Sequence, residues 1–113
     1  MHEYSVVQAL MEKIEGIAQE NEATKVTKVV TKIGVMSGIE AHLLELAFNT
    51  FKEETICDEA EFVMTLQQLT IECNECGETS ELEKIHYCCP KCDSTDIKVV
   101  DGEEMFLMSL EME

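Results

Sequence analysis

Apolar residues recur in steps of three and four along the first twenty positions: Tyr4, Val7, Met11, Ile14 and Ala18, with Leu10 and Ile17 widening the stripe. That spacing predicts an amphipathic helix from Tyr4 to about Glu20. Glu3 suits the positive end of its dipole, and Asn21 to Ala23 would end it. From Lys25 to Val35 the period changes to two. Val29, Thr31, Ile33 and Val35 share one face and the lysines mostly take the other, the pattern of a half-buried strand. Gly34 and Gly38 then bracket a turn, and Ser37-Gly-Ile-Glu40 matches a capping box. It precedes a new rhythm at Ile39, Leu43, Leu46, Ala47 and Phe51, so a second helix is expected to run to about Cys57. Strand-forming residues return from Glu61 to Glu72. Beyond Asp96, the segment Ile97 to Val100, an Asp101-Gly102 turn signal, and Met105 to Met112 predict further extended structure.

Helix, strand, helix, strand, a cysteine-rich loop and more strands describe an α+β fold: two helices packed on a small β-sheet with an inserted zinc-ribbon-like module. The expected domains are 1–71 together with 97–113, and 72–96.

That loop carries Cys73-Asn-Glu-Cys76 and Cys89-Pro-Lys-Cys92 with twelve residues between them. Two Cys-x-x-Cys turns at this separation supply the four thiolates of a closed tetrahedral Zn2+ site. Gly77 allows the bend after the first pair, and Pro90 stiffens the second. Cys88 also lies within reach of Cys92, but Cys89 keeps the two-residue spacing. Two disulfides are the rival use of the same residues. Met1 is followed by acidic and apolar residues in helical rhythm rather than by a basic stretch and an apolar run, so reduced thiols and a cytoplasmic location are expected.

Charge narrows the field of partners. There are 24 acidic residues against 8 basic ones, and the formal charge is −16. All eight cations are lysines, so the planar fork that grips phosphate is missing. Four thiolates and one divalent ion would make the chain still more negative. Nucleic acid and acidic membranes are excluded as partners, and cations and basic protein surfaces are favoured. No stretch approaches the ~20 apolar residues needed to span a bilayer.

The other end of the chain offers a second metal site. The α-amine of Met1, the deprotonated amide of His2 and its ring Nδ1 can chelate one ion through fused rings. Such a nearly planar nitrogen set suits Ni(II) or Cu(II) better than zinc. Glu3 can add its amide or its carboxylate. Binding has to displace protons from an imidazole of reference pKa ~6.5 and an amine near ~7.8, so affinity should fall in mild acid.

Met1-His2-Glu3-Tyr4-Ser5, a lysine-rich strand ending near Ile33-Gly34, an acidic second helix, Cys73-x-x-Cys76-Gly77, Cys89-Pro90-x-Cys92 and the ending Leu107-x-Ser109-Leu110-Glu111 together resemble the HypA family of hydrogenase-maturation nickel chaperones. The resemblance covers the whole chain. It implies Ni2+ held through His2 and its neighbours, and a structural four-cysteine zinc site. It also implies transfer of nickel toward the large subunit of nickel–iron hydrogenase in concert with a maturation GTPase (HypB-like). Neither metal would perform catalysis. Some members place an aspartate near the start of the second helix close to nickel; the corresponding residue here is Glu40, which as the fourth residue of the capping box has a structural use as well.

The remaining candidates have plainer uses. His42 lies about 200° round the helix from Glu40 and cannot share an ion with it. His86, two residues before Cys88, becomes a zinc ligand only if a thiolate leaves. Cys57 reads as a small buried apolar residue, Cys88 as a spare thiol, and the methionines as packing. No serine–histidine or cysteine–histidine pairing and no glycine-rich phosphate loop appears, and a complete thiolate quartet leaves zinc no open position, so the chain is not expected to be an enzyme. The alternative to a chaperone is a zinc-ribbon adaptor that binds a basic protein partner and makes no use of the free terminus.

Overall fold

The computed structural model describes residues 3–82 and 87–113. Their elements run α1 (Glu3–Glu20), β1 (Val26–Gly34), α2 (Ala41–Phe51), β2 (Glu61–Gln67), β3 (Leu69–Cys73), β4 (Thr79–Leu82), β5 (Ile97–Asp101) and β6 (Met105–Met112). The strands make two three-stranded sheets, ordered β2-β1-β6 and β4-β3-β5.

The fold is α+β, and the chain divides into two compact units: residues 1–32, 38–65 and 106–113, and residues 33–37 with 66–105. In the first, α1 buries Val7, Leu10, Met11, Ile14 and Ala18, α2 buries Leu44, Ala47 and Phe48, and β1 contributes Val26, Val29 and Thr31. Phe48 stacks on Phe62 with ring centroids 4.2 Å apart. The buried Thr31 hydroxyl donates to the Val63 carbonyl at 3.1 Å, which removes the cost of burying it.

The second unit has β3 at its centre, antiparallel to β4 (Leu69 opposite Leu82, Ile71 opposite Ser80) and to β5 (Ile71 opposite Val99, Cys73 opposite Ile97). Its apolar core is small: Leu69, Ile71 and Leu82, with Ile97 and Val99 packed against it. A short segment of the chain is tied in by backbone bonds from the amides of Gly34, Val35 and Met36 to the carbonyls of Glu104, Gln67 and Gly102. The expected turn at Asp101-Gly102 is present. Gly102 has φ +101°, a conformation L side chains rarely adopt, and its amide donates to the Asp101 carboxylate at 2.8 Å.

Three features depart from the periodicity. The extended stretch from Glu61 is broken at Gln68, so β2 and β3 belong to different sheets. α2 stops at Phe51 rather than near Cys57, because turns follow in which Glu54 takes φ +64°. It also starts later than a capping box at Ser37 requires: Gly38 has φ +78°, which is not helical, and Glu40 is itself the N-cap. The register of α2 differs too. Leu43 and Leu46, expected in the core, are 39% and 51% exposed, while Leu44, Ala47 and Phe48 face inward.

Candidate metal centre

Cys73 closes β3, and the chain turns at once. The Gly77 amide bonds the Cys73 carbonyl at 3.0 Å with Gly77 at φ +75°, and the Cys76 amide points at the Cys73 sulfur at 3.4 Å. The second turn repeats the first. The Asp93 amide bonds the Cys89 carbonyl at 2.8 Å with Asp93 at φ +61°, and the Lys91 amide points at the Cys89 sulfur at 3.4 Å. Each Cys-x-x-Cys pair is thus wrapped round its own amides, which favour thiolate over thiol.

Side chains and backbone hold the two turns face to face. Asn74 bonds Asp96 twice, through its amide to the carbonyl at 2.9 Å and through its side chain to the carboxylate at 3.0 Å. Lys91 reaches Glu78 at 3.1 Å. The sulfurs of Cys73 and Cys92 lie 3.5 Å apart, those of Cys76 and Cys89 3.7 Å. All four lie within 4.8 Å of one another, and among the described residues this is the group that converges as a metal site. Cys88 stands outside it, half-buried.

Electrostatics define what the cluster can do. The Cys76 amide, opposed by loss of water, lowers the Cys73 thiol to about 7. Cys92 is lowered by the Ser94 amide, but the neighbouring Cys73 sulfur and loss of water outweigh it and push the thiol up to about 12. Four like charges at these distances do not ionise together in water alone; a central divalent cation lets them. Donor type, number and spacing fit a tetrahedral thiolate ion, and zinc is the ion such a set suits. Four protein ligands fill a tetrahedron, so the centre supplies no open position for substrate.

The amino-terminal candidates are placed only in part. Met1 and His2 lie outside the described residues, as does His86. Glu3 begins α1 and is buried, its carboxylate accepting the Glu40 amide at 3.1 Å. Glu40 turns its own carboxylate to the amides of His42 (3.3 Å) and Leu43 (2.9 Å). The two carboxylates named as nickel candidates are therefore also the joint between the start of α1 and the start of α2. Spacing had marked Glu40 as a cap; nothing in the periodicity marked Glu3 as its partner, because residues 37 apart are joined only by the packing of α1 on α2. Cys57 is fully buried, and loss of water pushes its thiol up to about 11.

Four converging thiols on a small α+β chain define a protein with a site for a tetrahedral metal ion. Comparison with known proteins makes the class specific. The sequence model described as "HypA: Hydrogenase/urease nickel incorporation, metallochaperone, hypA" matches residues 1–112. The chain is 52% identical over 113 residues to "Hydrogenase maturation factor HypA" of Aquifex aeolicus (strain VF5), covering all of this chain and 98% of that protein. It is 55% identical to the protein of the same name from Shewanella oneidensis, covering 96% of it. The solution structure of the Ni metallochaperone HypA from Helicobacter pylori superposes with a TM-score of 0.73 at 37% identity, over 99% of this chain and 97% of that one. The chain belongs to the HypA family, a family of metallochaperones and not of enzymes. No helix among the described residues is long and apolar enough to cross a membrane.

Proposed function

We propose that this chain binds Ni(II) and delivers it during maturation of nickel–iron hydrogenase, with Zn2+ held by Cys73, Cys76, Cys89 and Cys92 for structure alone. The observation that carries this reading is the full-length match to a nickel-incorporation family on a chain whose converged thiols already number four, enough to fill the coordination of one tetrahedral ion. An ion that has to be given up needs a different site. Met1 and His2 supply it through the amine, an amide and the ring nitrogen, with Glu3 contributing its backbone amide.

Glu3 and Glu40 act chiefly through structure in this reading. Their carboxylates are engaged with backbone amides, so either would join nickel only by leaving a hydrogen bond. Residues 1–71 with 97–113 serve as the nickel-handling part and 72–96 as the zinc module. The recipient is the hydrogenase large subunit, served in concert with a partner GTPase, in the cytoplasm.

Nickel titration of zinc-loaded protein tests the assignment, with His2→Ala and an amino-terminally extended chain alongside. Both changes should weaken nickel binding by an order of magnitude or more while zinc stays at one per chain. Unchanged nickel affinity in both would overturn the terminal site and favour the adaptor alternative, which has no use for residues 1–3.

A further inference from the structure

Helix α2 carries more apolar surface than its own fold uses. At about 100° per residue, Leu46, Thr50, Leu43, Ala47, Leu44 and Phe48 sweep an arc of roughly 200°, twice the stripe a surface helix needs. Leu44 and Phe48 are fully buried; Leu43 and Leu46 are not. With Tyr4 of α1, 58% exposed, they line an open groove of about 360 Å³ whose other walls are Glu3, Ser5, Ala47 and Thr50. Tyr4 is held in place by the edge of Phe51, ring centroids 5.2 Å apart. Leu43, Leu46 and Thr50 sit at i, i+3 and i+7, the spacing that receives the apolar face of another helix.

The charge around this groove selects what fills it. No lysine lines it; Glu3 does, and Glu40 caps the helix beside Leu43. The chain as a whole is at −16 with no arginine. A second copy of the same chain brings the same charge to the same place and is repelled, as is any acidic helix. A helix with leucine-like side chains on one face and lysine or arginine on its flanks satisfies both the apolar floor and the field.

We propose that the groove between the start of α1 and the outer face of α2 is a docking site for an amphipathic, cation-flanked helix of a protein partner. The groove opens at Glu3, next in sequence to the terminus, so a helix seated there holds its protein against the end of the chain that carries the cargo. That last link rests on the chaperone reading; the docking surface itself does not.

The probe is an 18-residue peptide of leucine and lysine in helical amphipathic order, added to nickel-free, zinc-loaded, isotope-labelled protein, with a scrambled peptide of equal composition as control. Amide shifts should concentrate at Tyr4, Leu43, Leu46 and Thr50 for the ordered peptide only. Leu46→Asp should weaken binding about tenfold or more, as loss of a central apolar anchor does, and Leu46→Asn, which adds no charge, should weaken it as well. Equal binding of the two peptides, or shifts spread over the acidic surface, would reduce the effect to bulk charge and overturn the proposal. So would a concentration-dependent doubling of mass abolished by Leu46→Asp, which would seat a second copy in the groove. Nickel affinity of Leu46→Asp should stay as in the parent, so failure here is separable from failure of the His2 titration.

Discussion

At the scale of single residues, carboxylates in this chain do structural work that their charge conceals. Glu40 is a longer N-cap than the serine or aspartate usually found there, yet both its oxygens find amides of the first turn. Glu40→Ala should cost about 1 kcal/mol in urea denaturation of the zinc-loaded protein, and Glu40→Gln less, because an amide oxygen still accepts. Equal losses would mean that the negative charge, not the hydrogen bonds, caps the helix. Cys57 illustrates burial acting on an acid. Its folded thiol lies near 11 against a reference of 9.0, so the folded state holds the proton that the unfolded state gives up. Its contribution to stability is therefore complete below pH 9 and lost as pH rises toward 11. Iodoacetamide at pH 8.5 should leave Cys57 unmodified in folded protein and label it on unfolding; mass mapping of the alkylated peptide reads this directly. Of these two residues, Cys57 was legible as a small apolar filler, and Glu40 as a cap. Glu3 was not, since its partner is supplied by tertiary packing.

At the scale of elements, helices and strands followed their periods, and misassignments clustered where the chain changes direction. α1, β1, β5 and β6 lie within a residue or two of where the pattern put them. The stretch from Glu61 to Glu72 read as one strand because composition is blind to the break at Gln68 that sends its halves into different sheets. β4 was hidden within the loop between the cysteine pairs; it has only four residues, too few to show a period. For α2 the rhythm read from Leu43 and Leu46 picked the outer edge of a wide apolar arc, and packing against α1 and Phe62 turned Leu44 and Phe48 inward instead. Turn glycines show the opposite, a local signal with a steep tertiary cost. A Cβ on Gly102 would lie 2.7 Å from the Gln68 carbonyl oxygen and from the Leu69 Cα, at φ +101°. Gly102→Ala should cost about 3 kcal/mol, loosening the second unit while signals of α1 and α2 in the amide spectrum stay put. A change under ~0.5 kcal/mol would show that this turn moves freely.

At the scale of the whole molecule, the two units depend on different forces. The first buries two helix faces and a strand and has a core of its own; among the described residues of the second, the apolar cluster around β3 is small, Leu69, Ile71 and Leu82 with Ile97 and Val99, and stands beside a thiol cluster suited to a cation. Stripping zinc with a chelator at pH 7 should collapse the amide signals of residues 66–105 and leave those of α1 and α2 dispersed, because metal binding supplies the folding free energy that so small a core lacks. Collapse of both sets together would contradict two separate folding units. The amino-acid sequence by itself determined the helical and extended periods, the strongly acidic net charge, and the four thiols with the spacing of a metal site. These are properties of neighbours in the chain, fixed by backbone geometry and side-chain chemistry over a few residues. Only the tertiary structure decided that Glu3 meets Glu40, that one apparent strand serves two sheets, and that Leu43 and Leu46 face outward into an open groove. Those outcomes depend on which of several apolar faces finds a partner, and the choice is made by packing between distant segments.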